Sequence, residues 1–170
     1  MTRRALLSAV LATPFLAGGA PLPPSRSDLE PIVAAKNWLG RRPSKASLHG
    51  RVVLVDIFTF ECVNCVRVTP NLKAIYGEYS RPELEIVAVH TPEVPSYQGR
   101  IAYLAQQARA AALPWPIAID NDYRIWNAYG VSAWPTQLVF DKNGRLRNTI
   151  VGDSQDDALD SAIRNLVAQP

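Results

Sequence analysis

Val52-Val53-Leu54-Val55-Asp56-Ile57-Phe58, followed three residues later by Cys62-Val63-Asn64-Cys65, is the stretch on which the fold of this chain turns. Seven residues with a single polar member, rich in β-branched side chains, are the pattern of a strand buried on both faces. Residues 63–79 then place Val66, Leu72, Ile75, Tyr76 and Tyr79 at helical spacing, with Pro70 as a kink. A strand therefore delivers two thiols to a helix N-terminus. The unpaired N–H groups and positive dipole end found there suit a sulfur that must act as a nucleophile. With two residues between the thiols, Cys65 can attack a mixed disulfide formed by Cys62. Both cysteines of the chain lie in this one motif.

The chain has 170 residues, enough for one domain with its own core, and its 48% hydrophobic and 19% charged residues are those of a globular protein. Its net charge is +3, and setting aside Arg3 and Arg4 leaves +1, because no acid occurs among residues 1–20. No basic run interleaved with aromatics is present, so nucleic acid is not an expected partner. Thr2-Arg3-Arg4 reads as the basic start of an export signal, residues 5–16 as its apolar stretch, and Ala17-Gly18-Gly19-Ala20 as a cleavage region. Pro14 and the shortness of the run argue against a spanning helix. The expected organisation is a signal peptide over 1–20, a linker over 21–35 and a folded domain over 36–170. The expected location is periplasmic or otherwise extracytoplasmic, by a Sec or Tat route.

Export changes the reading of the cysteines. A structural zinc needs four ligands, and His49 and His90 do not stand at paired spacing with Cys62 and Cys65, so no metal and no cofactor is expected. A disulfide closing so small a loop removes little chain entropy and would be a poor staple. A redox-active pair is the better reading.

Further along, residues 36–39 read as a short edge strand and 84–89 as a second buried strand ending at His90-Thr91-Pro92. Residues 101–112 read as an alanine-rich helix, 117–119 as a short strand, and 123–129 as a short helix stopped by Gly130. Strands over 136–140 and 146–152 are joined by the turn Asp141-Lys142-Asn143-Gly144, and a helix over 156–167 closes the chain. The expected fold class is α/β, a central mixed sheet flanked by helices.

Several positions in register resemble the thioredoxin superfamily. Asp56 stands six residues before Cys62, where that family has its buried acid, and Pro70 eight residues after it, where the family kinks its active-site helix. Trp134-Pro135-Thr136, just before a strand, resembles the cis-proline loop that faces the two thiols. Cys62 and Pro135 are 73 residues apart, longer than in a minimal thioredoxin. The surplus, over 91–122, is similar to the helix–strand insertion of exported TlpA-like and peroxiredoxin-like branches. Three segments look like the soluble domain of DipZ-type proteins: Trp38-Leu39 leading to Val53-Leu54-Val55-Asp56, then Val89-His90-Thr91-Pro92-Glu93, then Ile119-Asp120-Asn121-Asp122-Tyr123 with Trp134-Pro135. The resemblance covers residues 36–152 and implies a thioredoxin fold acting on disulfide-containing proteins. It also implies a separate membrane electron donor of the CcdA/DsbD type; a monomer is expected.

In that chemistry Cys62 attacks a substrate disulfide and Cys65 resolves the mixed disulfide. Asp56, in an apolar strand, is expected to hold its proton to higher pH than usual and to shuttle the proton of Cys65, or else to be a satisfied buried polar residue. Pro135, if cis, leaves neighbouring backbone groups for strand-like pairing with a substrate, and Thr136, Val63 and Asn64 complete the expected contact surface. Glu61 departs from the family pattern: aimed at the sulfur it would push the pair toward reducing behaviour, and turned outward it would be a solvated side chain. Trp134 is bulkier than the family's usual aliphatic residue and narrows substrate breadth. His90 reads as a structural hydrogen-bonder in preference to a second proton relay, and Trp115 and Trp126 as core. The expected function is an exported disulfide reductase, with cytochrome c maturation as one setting. The rivals are a thiol peroxidase, for which Thr59-Phe60-Glu61-Cys62 supplies part of a signature, and a copper(I) chaperone using Cys62, Cys65 and His90.

Overall fold

A computed structural model describes residues 28–93 and 101–170, so the signal-peptide reading of 1–20 and the linker over 21–27 lie outside it. Strand β1 (Asn37–Leu39) is followed by β2 (Val52–Phe58), β3 (Leu84–His90), β4 (Ile117–Ile119), β5 (Thr136–Phe140) and β6 (Leu146–Val151). They form one sheet in the order β1-β4-β3-β2-β5-β6. β2 lies parallel to β3 and antiparallel to β5, β3 lies parallel to β4, and the edge strands β1 and β6 are antiparallel to their neighbours. This is the mixed sheet expected from strand–helix alternation ending in a hairpin.

Alternation along β2 sorts its side chains between two cores. Val52, Leu54 and Phe58 face the layer made by α3 (Val63–Glu78), α6 (Asp156–Val167), Leu104 of α4 (Ile101–Ala110) and Trp115. Val53, Val55 and Ile57 face α1 (Glu30–Val33), α5 (Arg124–Tyr129) and Leu48 of α2 (Lys45–Leu48). All seven residues of β2 are buried because both faces are covered. Each aliphatic side chain so buried contributes roughly 1.5–3 kcal/mol.

α3 buries Cys65, Val68, Leu72 and Ile75, one stripe of the helix. Pro70 removes the N–H that would bond the Val66 carbonyl, and the preceding Thr69 hydroxyl donates to the Cys65 carbonyl at 3.0 Å. α6 buries Leu159, Ala162, Ile163 and Leu166, and Asn71 of α3 donates to Asp160 across the two helices at 3.2 Å. The insertion supplies α4 and β4, and β4 sits between β3 and β1.

The linker boundary needs correction. Residues 30–33, assigned to the linker, form α1, and Leu29, Ile32 and Val33 are buried in the second core. Proline at the start of this short helix and the prolines before it disguise three apolar side chains as an extended tail. Leu29 packs on the β5–β6 turn, where a Cβ on Gly144 (φ +74) would meet its Cδ1 at 3.4 Å. Asp141 organises that turn by accepting from the Asn143 and Arg145 N–H groups, each at 2.9 Å. α2 was not anticipated either; its four residues are held by a reciprocal cap between Ser44 and Ser47.

If residues 28–33 belong to the folded unit, Ile32→Ala lowers its stability by about 2–4 kcal/mol, measured by urea unfolding. A loss below about 0.5 kcal/mol, the level of a surface change, would return the segment to the linker.

Candidate active site

The turn between β2 and α3 brings a sulfur to the N-cap of the helix. Cys62 occupies that position, and its Sγ accepts the Cys65 N–H at 3.4 Å. Both cysteines are free thiols. They differ in access: Cys62 is half-exposed, whereas Cys65 is buried on the first turn of α3. Burial pushes the Cys65 thiol far up, and its hydrogen bond with Cys62 adds to this. The Cys62 thiol in turn lies 3.9 Å from the Trp134 carbonyl, a weak S–H donor contact, and the Trp134-Pro135 peptide bond is cis. Cys62, Cys65 and Pro135 are thus brought together.

Asp56 lies beneath them in β2, only 5% exposed. Burial raises its carboxyl to about 7, and a hydrogen bond from Gln137 opposes the rise. Gln137, which sequence reasoning missed, is its register partner on β5 and donates from Nε2 to Oδ1 at 3.0 Å. A polar residue with the parity of Asp56, two positions past Pro135, was the available signal.

Glu61 is exposed, as the outward reading expects, but its carboxylate is engaged and not freely solvated. Its carboxylate accepts from the Thr59 hydroxyl and from the Tyr103 hydroxyl, the latter at 3.3 Å, and lies 4.0 Å from His90 Nε2. The insertion helix α4 thereby touches the residue next to the nucleophile. His90 is buried at the end of β3, stacked on Phe60 with ring centroids 5.3 Å apart. Because Thr59 gives its O–H to Glu61, its oxygen accepts from His90 Nε2 at 3.3 Å, while Nδ1 is buried without a partner. Burial holds the imidazole down to about 4 against the pull of Glu61. His90 is neutral and structural in this arrangement.

Thr136 is corrected: it is buried, and its hydroxyl donates to the Ala133 carbonyl at 2.8 Å, so it clasps the loop and does not face a substrate. Val63 is 61% exposed beside Cys62, and Asn64 accepts from Arg67 at 3.0 Å. Trp134 is half-buried, its indole N–H donates to the Thr91 carbonyl at 2.9 Å, and its ring lies on Trp126 with centroids 4.2 Å apart. Trp126 is therefore not simply core, while Trp115 is. Asp120, also missed, fixes this wall. Its carboxylate accepts from Thr91 Oγ1 at 3.1 Å and from the Ile125 and Trp126 N–H groups at 2.9 Å. An acid between a buried strand and a short helix is a capping signal that could have revealed it.

Among the described residues, no three His, Cys, Asp or Glu side chains converge to hold a metal ion. The set needed for copper(I) is not assembled, since His90 Nε2 is turned to Thr59 and Glu61. No helix among the described residues is long and apolar enough to cross a membrane.

Residues 50–146 match the family model described as Thioredoxin-like. The chain is 31% identical to the DipZ protein of Mycobacterium bovis over 82% of its own length, and spans 20% of that protein. It is also 31% identical to the thiol-disulfide oxidoreductase ResA of Geobacillus thermodenitrificans, over 66% of this chain and 62% of that one. A thiol-disulfide isomerase from Corynebacterium glutamicum superposes with a TM-score of 0.71 at 21% identity, covering 80% of this chain and 94% of that one, and shows the shared fold.

Two buried groups on one face of the sheet give opposite pH dependences. Asp56 is raised in the folded state, so its contribution is full below pH 3.8 and is lost as pH rises through about 7. His90 is lowered, so its contribution is present above 6.5 and is lost as pH falls through about 4. At about 1.4 kcal/mol per pH unit, ionised Asp56 costs the fold on the order of 4 kcal/mol above pH 7. Asp56→Asn therefore gains stability over the wild type as pH rises from 4 to 7, measured by urea unfolding of the reduced protein. Parallel profiles for the two proteins would sink the assignment.

Proposed function

Because the chain belongs to the thioredoxin-like family, we propose that it is a protein-disulfide oxidoreductase whose Cys62–Cys65 pair reduces disulfides of extracytoplasmic proteins. The observation that carries this is the division of labour at the start of α3. One sulfur is accessible at the N-cap and faces the cis Trp134-Pro135 loop, and the other is buried one turn away. Cys62 attacks a substrate disulfide; its Sγ–S bond forms as the substrate S–S bond breaks, and the departing substrate thiolate takes a proton from water. Cys65 then attacks Cys62 Sγ, releases the second substrate sulfur and leaves an intramolecular disulfide. Asp56, raised to about 7 by burial and so half-ionised near neutral pH, accepts the Cys65 proton.

The exposed valines 63 and 66 and the face of Trp134 form the surface that a substrate polypeptide meets around Cys62. The basic and apolar stretch over residues 2–16 supports export, and the likeness to ResA, named a thiol-disulfide oxidoreductase, supports the chemistry. The oxidised pair is returned to dithiol by a membrane electron donor of the CcdA/DsbD type, and the protein works as a monomer, with cytochrome c maturation among its settings.

The test is the reduction potential of the couple together with insulin reduction. A value near or below about −250 mV supports a reductase, and one near about −120 to −180 mV would make it an oxidant or isomerase. Cys62→Ser abolishes insulin reduction, while Cys65→Ser retains attack and accumulates a mixed disulfide visible as a mass adduct. Rapid turnover of hydrogen peroxide, or stoichiometric copper(I) binding, would instead favour one of the two rivals.

A further inference from the structure

Gln137 has no architectural reason to be an amide. β5 is buried along its whole length, and Gln137 is 2% exposed within it. Its register neighbour across β2 is Asp56, and the next pair on the same side, Leu54 and Val139, belongs to the apolar core under α3. An aliphatic side chain at 137 would extend that core without the cost of burying a primary amide. The amide instead donates to Asp56 Oδ1 at 3.0 Å.

We propose that Gln137 is the positioning residue of the resolving step, holding the Asp56 carboxyl by Oδ1 so that Oδ2 is the oxygen that takes the Cys65 proton. This rests on the dithiol reading given above. In the step, the Cys65 thiol passes its proton to Oδ2 as its sulfur attacks Cys62 Sγ. The Cys62–substrate S–S bond breaks, the substrate sulfur leaves with the electron pair and is protonated by water, and the Cys62–Cys65 disulfide remains. Asp56 afterwards returns its proton to solvent. The amide also favours the ionised acid: burial raises the Asp56 carboxyl and Gln137 draws it back down. Among the described residues, the titratable groups on this face are Cys62 and Cys65 at the start of α3, His90 at the end of β3 with the Glu61 carboxylate beside it, and Tyr76, Tyr79 and Tyr103 at the margin of the core; α6 and β5 turn Leu159, Ile163 and Val139 into the same core.

Stopped-flow reaction of the reduced full chain with 5,5′-dithiobis(2-nitrobenzoate) separates the two steps. Attack by Cys62 releases one thionitrobenzoate, and resolution by Cys65 releases the second. In Gln137→Leu, the pH midpoint of the second phase rises by about one unit, and the phase slows on the order of tenfold at pH 6.5. The first phase keeps its rate. In an Asp56→Asn background, Gln137→Leu adds no further change, which a purely structural defect would not reproduce. Gln137→Glu, which keeps the shape and sets a second acid beside the first, also moves the midpoint upward and serves if the leucine variant does not fold. A second phase with the wild-type midpoint in either folded variant overturns the role of Gln137. A wild-type protein with no second phase overturns the dithiol reading itself, and this inference with it.

Discussion

The hydrogen bond from the Cys65 N–H to the Cys62 sulfur exists because β2 ends at Phe58 and α3 begins at Val63, leaving one short turn between them. An N-cap position is ordinarily filled by an oxygen-bearing side chain. Filling it with sulfur turns a helix-capping contact into the anchor of a reactive group. The rest of the molecule follows from holding that turn still. β2 is sandwiched between two cores, the end of β3 contributes His90 beneath Thr59 and Glu61, and the cis Trp134-Pro135 loop closes over the sulfur.

The loop is held from outside as well as from beneath. Asp120 binds the Thr91 hydroxyl with one oxygen, and with both oxygens it caps the start of α5. α5 carries Trp126, whose ring supports Trp134, and the Trp134 indole returns to the Thr91 carbonyl. A carboxylate that makes no contact with sulfur thus closes a ring of interactions around the residue whose carbonyl faces Cys62. Buried polar networks of this kind stiffen a site when every member is satisfied. The exposed charged pairs, such as Arg124 with Asp122, add little by comparison.

Much of this was legible in the residues. The apolar run ending before Cys62, the helical spacing after it and the Asp141–Gly144 turn identify β2, α3 and the β5–β6 hairpin, because each is a local pattern with one dominant physical cause. What escaped depends on contacts between distant segments. α1 is too short to show periodicity, and its burial comes from packing against α5, which lies far along the chain. Gln137 gains meaning only once β5 is placed antiparallel to β2 in a register that sets it against Asp56. Glu61 could be read as facing the sulfur or the solvent; that its exposed carboxylate also meets Tyr103 required knowing where α4 lies.

The position of Asp28 has a mechanical consequence. It bridges Arg145 at the far end of the β5–β6 hairpin, whereas Pro135 and the two sulfurs lie at the other end of the same strands. Five residues of β5 separate the ends, on the order of 17 Å of extended backbone. Whatever stretch of chain precedes residue 28 is therefore fastened to one pole of the domain, and the dithiol stands at the opposite pole. Pulled or anchored through residue 28, the domain points its reactive end away from the point of attachment.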